Sequence, residues 1–297
     1  MSGLEKPPLW KVLYLTARPK TLGASIAPII MGMAMGVREG YFHLLTAVCT
    51  LVGGVMIQIL VNYANDYFDY LKGADFGMRL GPIRATTAGW LKPQEMKLAL
   101  GVITILCIVP GLYLVWRGGI PILVIGIVSI LLAYAYTAGP YPLAYIGLGD
   151  IFVLIFFGPV AVAGTYYLQS LKWDIVPMIV GLAPGLLSVA ILTVNNYRDV
   201  ENDRRNGKRT LAVRFGERFA VGEYIFSIFT AVIVIPLILS FLLKEYYILG
   251  LWVLIVPAVW LIRLFLSLSG SELNRLLANT TKFLLVYGVL FSILWQI

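Results

Sequence analysis

Charge is what this chain has least of. Only 13% of its 297 residues are charged, whereas 60% are hydrophobic. A soluble domain carries about 25% charged and about 45–50% apolar residues, so a water-soluble globule is excluded, and a disordered chain with it. Cysteine is scarce as well. Cys49 and Cys107 both lie in apolar stretches, which argues against a disulfide framework or a metal knuckle. The single histidine, His43, sits beside an apolar run and reads as an interfacial residue. Met1 to Lys20 carries scattered basic residues and two adjacent prolines, without the apolar core and small-residue cleavage site of a signal peptide. The short alternating segments of an outer-membrane barrel are missing too.

Long apolar runs dominate instead, and the mean hydropathy is +0.87. A spanning helix needs roughly 20 mostly apolar residues. Windows of that length centre on 22–37, 43–64, 97–115, 119–137, 146–168, 175–197, 220–241, 246–264 and 277–296. The expected fold is therefore all-α and integral to a membrane: a bundle of nine transmembrane helices in one domain over residues 1–297. Its halves, 1–140 and 141–297, each hold one acidic motif. Internal Gly and Pro (Gly53, Gly54, Pro110, Pro184, Pro236, Pro257) fit this reading, because neighbouring helices satisfy the freed backbone groups. Two links are long and polar, 66–96 and 198–218.

The net charge of +8 comes from 23 Lys and Arg against 15 Asp and Glu. In an apolar chain these are loop charges that set orientation, not a nucleic-acid footprint. With nine spans, 19 of the 23 basic residues fall on one side; Arg38, Arg117, Lys172 and Lys244 occupy the other. The split places the N-terminus and the polar loops in the cytoplasm and the C-terminus outside a cell (inner) membrane.

The polar links carry unusual chemistry. One follows Asn62, Asn65, Asp66 and Asp69 with Lys72 and Asp75; the other follows Asn196, Arg198, Asp199 and Asp203 with Lys208 and Arg209. Each begins where an apolar helix runs out. If the helices continue, Asn62, Asp66 and Asp69 share one face at i, i+4 and i+7, and Asn196, Asp199 and Asp203 share another at i, i+3 and i+7. Acids at a membrane helix end are costly unless partnered, and like charges one turn apart repel. Divalent cations relieve both problems. Clustered oxygen ligands suit Mg²⁺, which takes one or two carboxylates plus substrate phosphates. Basic residues fringe both motifs: Lys72, Arg84, Arg198, Lys208 and Arg209. Carboxylates, Mg²⁺ and a cationic fringe together describe a diphosphate site at the cytoplasmic mouth of the bundle, capped by the following loops. The motifs are about 134 residues apart, in spans 2 and 6, which hints at an internal duplication.

These motifs resemble those of the UbiA superfamily of intramembrane prenyltransferases. The resemblance runs from Ala17-Arg18-Pro19-Lys20-Thr21 past Arg214-Phe215-Gly216. It implies nine helices, a prenyl diphosphate donor bound through Mg²⁺, and transfer of the prenyl group to an aromatic acceptor. Within the superfamily the chain is similar to the branch that prenylates 1,4-dihydroxy-2-naphthoate, with loss of its carboxylate, in menaquinone synthesis. Four stretches carry this: Asn65 to Asp75, Gly81-Pro82-Ile83-Arg84, Tyr145 to Gly158, and Asn195 to Thr210. The benzoate-type pattern has an aspartate eight residues after Asn65; here that position is Gly73, and the acid comes at Asp75.

The resemblance assigns Asp66, Asp69, Asp75, Asp199 and Asp203, with Asn62, Asn65 and Asn196, to the metal site. Asp66, Asp69, Asp199 and Asp203 are its catalytic core. The fringe Lys72, Arg84, Arg198, Lys208 and Arg209 would take the diphosphate charge. Tyr63, Tyr67, Tyr136 and Tyr141 would shield the allylic cation, and Arg18 or Lys20 would meet the acceptor carboxylate. Membrane lipid surrounds such a protein. Two alternatives stay open: another aromatic acceptor such as homogentisate, and a secondary transporter, for which the acids would have to lie nearer the bilayer midplane.

Overall fold

The computed structural model describes residues 6–74 and 80–297, and the expected ligand Asp75 lies outside them. The described residues form helices joined by turns and loops. Twelve helical segments run in order: α1 (Leu9–Ala17), α2 (Gly23–Arg38), α3 (Leu44–Leu71), α4 (Pro93–Gly118), α5 (Ile120–Ala135), α6 (Gly149–Ser170), α7 (Val176–Arg198), α8 (Val200–Arg205), α9 (Leu211–Phe215), α10 (Glu217–Leu243), α11 (Tyr246–Ser267) and α12 (Gly270–Leu294).

Among the described residues, seven helices are long and apolar enough to cross a membrane: α3, α4, α6, α7, α10, α11 and α12. An eighth span arises if α1 and α2, bent by 57° at Arg18–Leu22, are taken as one. α5 has 16 residues, about 24 Å at 1.5 Å per residue, short of a hydrocarbon core of about 30 Å. The chain is a multi-pass membrane protein. Its outer surface says so directly. Leu98, Val102, Ile105, Val109, Leu112 and Trp116 recur every three or four residues along α4 and are all exposed. In water such a stripe would aggregate; in lipid it is the solvated face.

Helix length explains how the polar motifs are displayed. The 28 residues of α3 span about 42 Å, more than a hydrocarbon core of about 30 Å, and Asp66 and Asp69 lie on its final turns. The second motif behaves differently from a continuing helix. α7 ends at Arg198, Asp199 is a joint with φ −97° and ψ 8°, and α8 restarts at Val200. The Asp203 N–H still donates to the Asp199 carbonyl at 2.8 Å, so the two acids keep nearly helical register.

α1 lies outside the spans read from sequence, because nine residues cannot form a span-length run. It packs Val12 and Thr16 inward and leaves Leu9, Trp10 and Tyr14 exposed. Two apolar clusters flank the interior. One joins α2, α6, α7, α10, α11 and α12 through residues such as Met31, Leu187, Ile228, Leu251 and Leu284. The other joins α1, α3 and α4 to the turn after α3 through Val12, Leu60, Trp90 and Met96. α6 and α7 approach closely through glycine. A Cβ on Gly181 would lie 2.6 Å from Pro159 Cα, and one on Gly185 would lie 2.5 Å from the Leu154 carbonyl oxygen. Small residues permit such contacts where apolar burial from water cannot drive helix association. Gly54 likewise seats the Ile29 side chain.

Candidate active site

A cavity of about 510 Å³ runs between the two clusters. Asn62, Asn65, Asp69, Arg84, Asn196, Asp199, Asp203 and Lys208 gather at its polar end. Most of the remaining wall is apolar, with Ile57, Ile108 and Val115 from α3 and α4, Ile122 and Ile130 from α5, Phe156 and Leu168 from α6 and Ile191 from α7, interrupted by Thr50, Gln58, Ser129, Thr165 and Ser188. It reaches Leu114, Ile122 and Leu168, near the far ends of α4 and α6 and the start of α5. One compartment therefore offers a charged mouth and a long greasy interior.

The first motif is wired to distant loops. Asp69 is 1% exposed, and its Oδ2 accepts from Arg84 at 3.0 Å and from the Lys208 ammonium at 2.9 Å. Its Oδ1 accepts from the Tyr145 hydroxyl at 2.9 Å. The Tyr145 ring lies under two ammonium groups, Lys72 at 4.3 Å and Lys208 at 5.0 Å, favourable against the negative face of an aromatic ring. Lys72 also donates to the Thr137 carbonyl at 2.7 Å. Burial holds the Lys72 ammonium below the usual lysine range; Asp69 opposes that shift and Lys208 reinforces it.

Asp66 has another duty. It is 2% exposed, and its two oxygens accept the backbone N–H groups of Ala85 (2.8 Å) and Thr86 (3.1 Å). These charge-assisted bonds fix the turn that presents Arg84, so Asp66 supports the site from behind. Asn62 works similarly, donating to the Ala17 carbonyl at 2.9 Å. That contact holds the end of α1, where Arg18 adopts a left-handed conformation (φ 51°, ψ 64°) and lines the cavity.

The second motif is wired locally. Arg198, 4% exposed, grips both oxygens of Asp199 at 2.9 and 2.5 Å. Asn195 and Asn274 accept from the same guanidinium at 2.7 Å each, and Asn274 donates to the Leu80 carbonyl. Asn206 donates to the Ala74 carbonyl at 2.8 Å, and the Arg209 N–H to the Tyr145 carbonyl at 3.0 Å. The loops after both motifs are thus tied into one cap.

Of the residues expected from sequence, Asn62, Asn65, Asp69, Arg84, Asn196, Asp199, Asp203, Lys208, Arg18 and Tyr136 line the cavity. Others stand elsewhere. Lys20 and Arg209 expose their side chains. Tyr141 is 78% exposed on the 136–148 connection. Tyr63 is buried, with its hydroxyl on the Leu13 carbonyl, and Tyr67 packs edge-on against Phe68. Their positions near helix ends were right, but the helix faces point them away. Tyr145, Asn195 and Asn274 were missed as site residues. Tyr145 and Asn274 reach Asp69 and Arg198 across fold contacts that spacing along one helix does not encode, whereas Asn195 meets Arg198 from one turn back on α7.

The donor set suits a hard divalent cation. The facing atoms are carboxylate and amide oxygens, and among the described residues the buried Asn65 Oδ1 meets no hydrogen-bond partner. Among those residues no three His, Cys, Asp or Glu side chains converge tightly enough to hold a metal alone.

The chain is 44% identical to 1,4-dihydroxy-2-naphthoate octaprenyltransferase of Escherichia coli over 67% of each chain. It is 35% identical to the protein of the same name in Haemophilus influenzae, over 97% of this chain and 96% of that one. Its fold matches a UbiA homolog from Archaeoglobus fulgidus bound to DMAPP and Mg²⁺ with a TM-score of 0.65 at 15% identity, covering 94% of this chain and 98% of that one. Residues 25–286 match the model of the UbiA prenyltransferase family. A charged mouth over an apolar cavity, on this fold and with these relatives, leaves no place for the transporter reading: the chain is a prenyltransferase and belongs to the UbiA prenyltransferase family.

Proposed function

We propose that the protein transfers a polyprenyl group from polyprenyl diphosphate to 1,4-dihydroxy-2-naphthoate, with loss of the acceptor's carboxylate as CO₂, giving demethylmenaquinol. The observation that carries this reading is the single cavity with Asp69, Asp199 and Asp203 at one end and an apolar lining to the other. A diphosphate fits the first and a polyprenyl tail the second. The names of the naphthoate relatives support the choice of acceptor. The bundle is read as one domain of nine spans, with α5 as a short span and α1 with α2 as one. The N-terminus and the polar mouth face the cytoplasm and the C-terminus the opposite side of the cell membrane.

Asp69, Asp199 and Asp203, with Asn65 and Asn196, would hold Mg²⁺, which when bound supplies positive charge to the diphosphate oxygens. Asp66 and Asn62 position Arg84 and Arg18. As the prenyl C–O bond breaks, negative charge grows on the leaving diphosphate. Lys208, Arg84 and Lys72 meet that charge as it develops, which lowers the barrier more than it tightens ground-state binding. The allylic cation forms just inside the mouth. Tyr136, Phe152, Phe156 and Phe157 line that part of the cavity, and their negative ring faces shield it from water and from wrong nucleophiles. Arg18 receives the acceptor carboxylate and presents the naphthol ring to the allylic carbon. The new C–C bond forms as the carboxylate departs.

The test incubates the purified protein with labelled polyprenyl diphosphate, Mg²⁺ and each of three acceptors: 1,4-dihydroxy-2-naphthoate, 4-hydroxybenzoate and homogentisate. Prenylated naphthol with matching CO₂ is the expected product. Product from homogentisate alone would keep the donor site and replace the acceptor.

A further inference from the structure

The cations around Asp69 occupy the oxygens that a metal would need. Oδ2 carries both Arg84 and Lys208, and Oδ1 carries the Tyr145 hydroxyl. At 1% exposure this carboxylate is electrically satisfied by protein groups alone. A divalent cation approaching it meets two positive charges within about 3 Å of the same oxygen, a strong repulsion where water screens little. Asp199 differs, because its partner Arg198 is itself anchored by Asn195 and Asn274. Among the described residues, no side-chain amide anchors Lys208 in this way. It sits on the loop after α8, 13% exposed in its side chain, between the carboxylate and the face of Tyr145.

We propose that Lys208, with Arg84, is an exchangeable counter-cation of Asp69: it neutralises the carboxylate before substrate arrives and transfers to the diphosphate when donor and metal enter. Tyr145 is the positioning residue for the exchange. Its ring holds Lys208 and Lys72, its hydroxyl holds Asp69, and its carbonyl accepts the Arg209 N–H, which keeps the 208–209 backbone beside the mouth. Metal and diphosphate then bind as a coupled pair. Metal alone has to displace Lys208 without compensation, whereas diphosphate offers the displaced ammonium a new anion. The coupling is reciprocal, so each ligand raises the affinity for the other by the same factor. This inference rests on the diphosphate reading of the site.

The measurement is Mn²⁺ binding by electron paramagnetic resonance on the detergent-purified full chain. It is made alone and with a non-hydrolysable prenyl thiodiphosphate, for wild type, Lys208→Gln, Tyr145→Phe and Asp69→Asn. In wild type the analogue tightens Mn²⁺ binding by about tenfold or more, within the usual range of coupled sites. In Lys208→Gln, Mn²⁺ alone binds about tenfold more tightly than in wild type, and the gain from the analogue shrinks correspondingly. Tyr145→Phe keeps the ring and loses one donor to Asp69, so Mn²⁺ alone tightens by about tenfold, the scale of one hydrogen bond to a charged group. Wild-type Mn²⁺ affinity and undiminished coupling in Lys208→Gln would overturn the exchange while the diphosphate site stands. Mn²⁺ binding indifferent to both the analogue and Asp69→Asn would overturn the diphosphate reading, and the exchange with it.

Discussion

Asp69 and Asp199 occupy matching places at the ends of two long helices, yet they draw their partners from different distances. Arg84, Tyr145 and Lys208 reach Asp69 from 15, 76 and 139 residues away. Asp199 is held by the adjacent Arg198. The first motif lies on an unbroken helix, and its acids meet loops from elsewhere in the chain. The second lies at a break, where the turn brings its own arginine back. One acid is thereby a meeting point for cations from distant loops, and the other is part of a local clamp. Residue type sets what each motif can bind; backbone continuity sets how tightly it is committed beforehand.

The comparison breaks most visibly at Asp69. Asp69→Asn keeps the shape but removes the charge on which three groups converge. Steady-state transfer assays should show kcat/KM lower by about 10²–10³-fold, the range for loss of one preorganised electrostatic group. Asp66→Ala should act differently, because it frees two buried backbone N–H groups instead of a ligand. Leaving such donors unsatisfied costs about 1–3 kcal/mol each, so its thermal midpoint should fall by several degrees. An unchanged midpoint in Asp66→Ala would remove its role as a support.

The distinction between a fixed and an exchangeable clamp is sharpened at Asn274. Asn274→Ala removes one of the two amides that hold Arg198. The expected loss of kcat/KM is about tenfold, the scale of one hydrogen bond to a charged group, with little change in the KM for the acceptor. The smallest effect is expected at Arg209. Its side chain is exposed and its backbone makes the structural contact, so Arg209→Ala should leave donor kinetics within about twofold of wild type, as for ordinary surface substitutions. A large rise in donor KM would return Arg209 to the diphosphate fringe, where the basic run alone had placed it.

The sequence made the multi-pass membrane class and the long apolar helices legible, because both depend on a local pattern, the length of an apolar run. α1 escaped because nine residues cannot register in a span-length window. The division of labour between Asp66 and Asp69 escaped for another reason. Both lie on the same helical stretch, and only the path of the chain through Arg84, Ala85 and Thr86 decides which oxygens are taken by backbone. Tyr145 escaped because its tie to Asp69 joins the 136–148 connection to the end of α3 in space. Tyr63 and Tyr141 show the opposite outcome. Their nearness to helix ends suggested the mouth, but Tyr63 turns into the α1 contact and Tyr141 stands exposed on the 136–148 connection.

The polar mouth is proposed to ionise an allylic diphosphate with Asp69 as an essential oxygen ligand. The most direct measurement is diphosphate release from labelled polyprenyl diphosphate by folded protein in detergent, with acceptor present, for wild type and Asp69→Asn, with and without Mg²⁺. The account predicts Mg²⁺-dependent release by wild type and release at least about 10²-fold slower in the variant. Release at the wild-type rate by Asp69→Asn, or release by wild type that persists under a metal chelator, would contradict it.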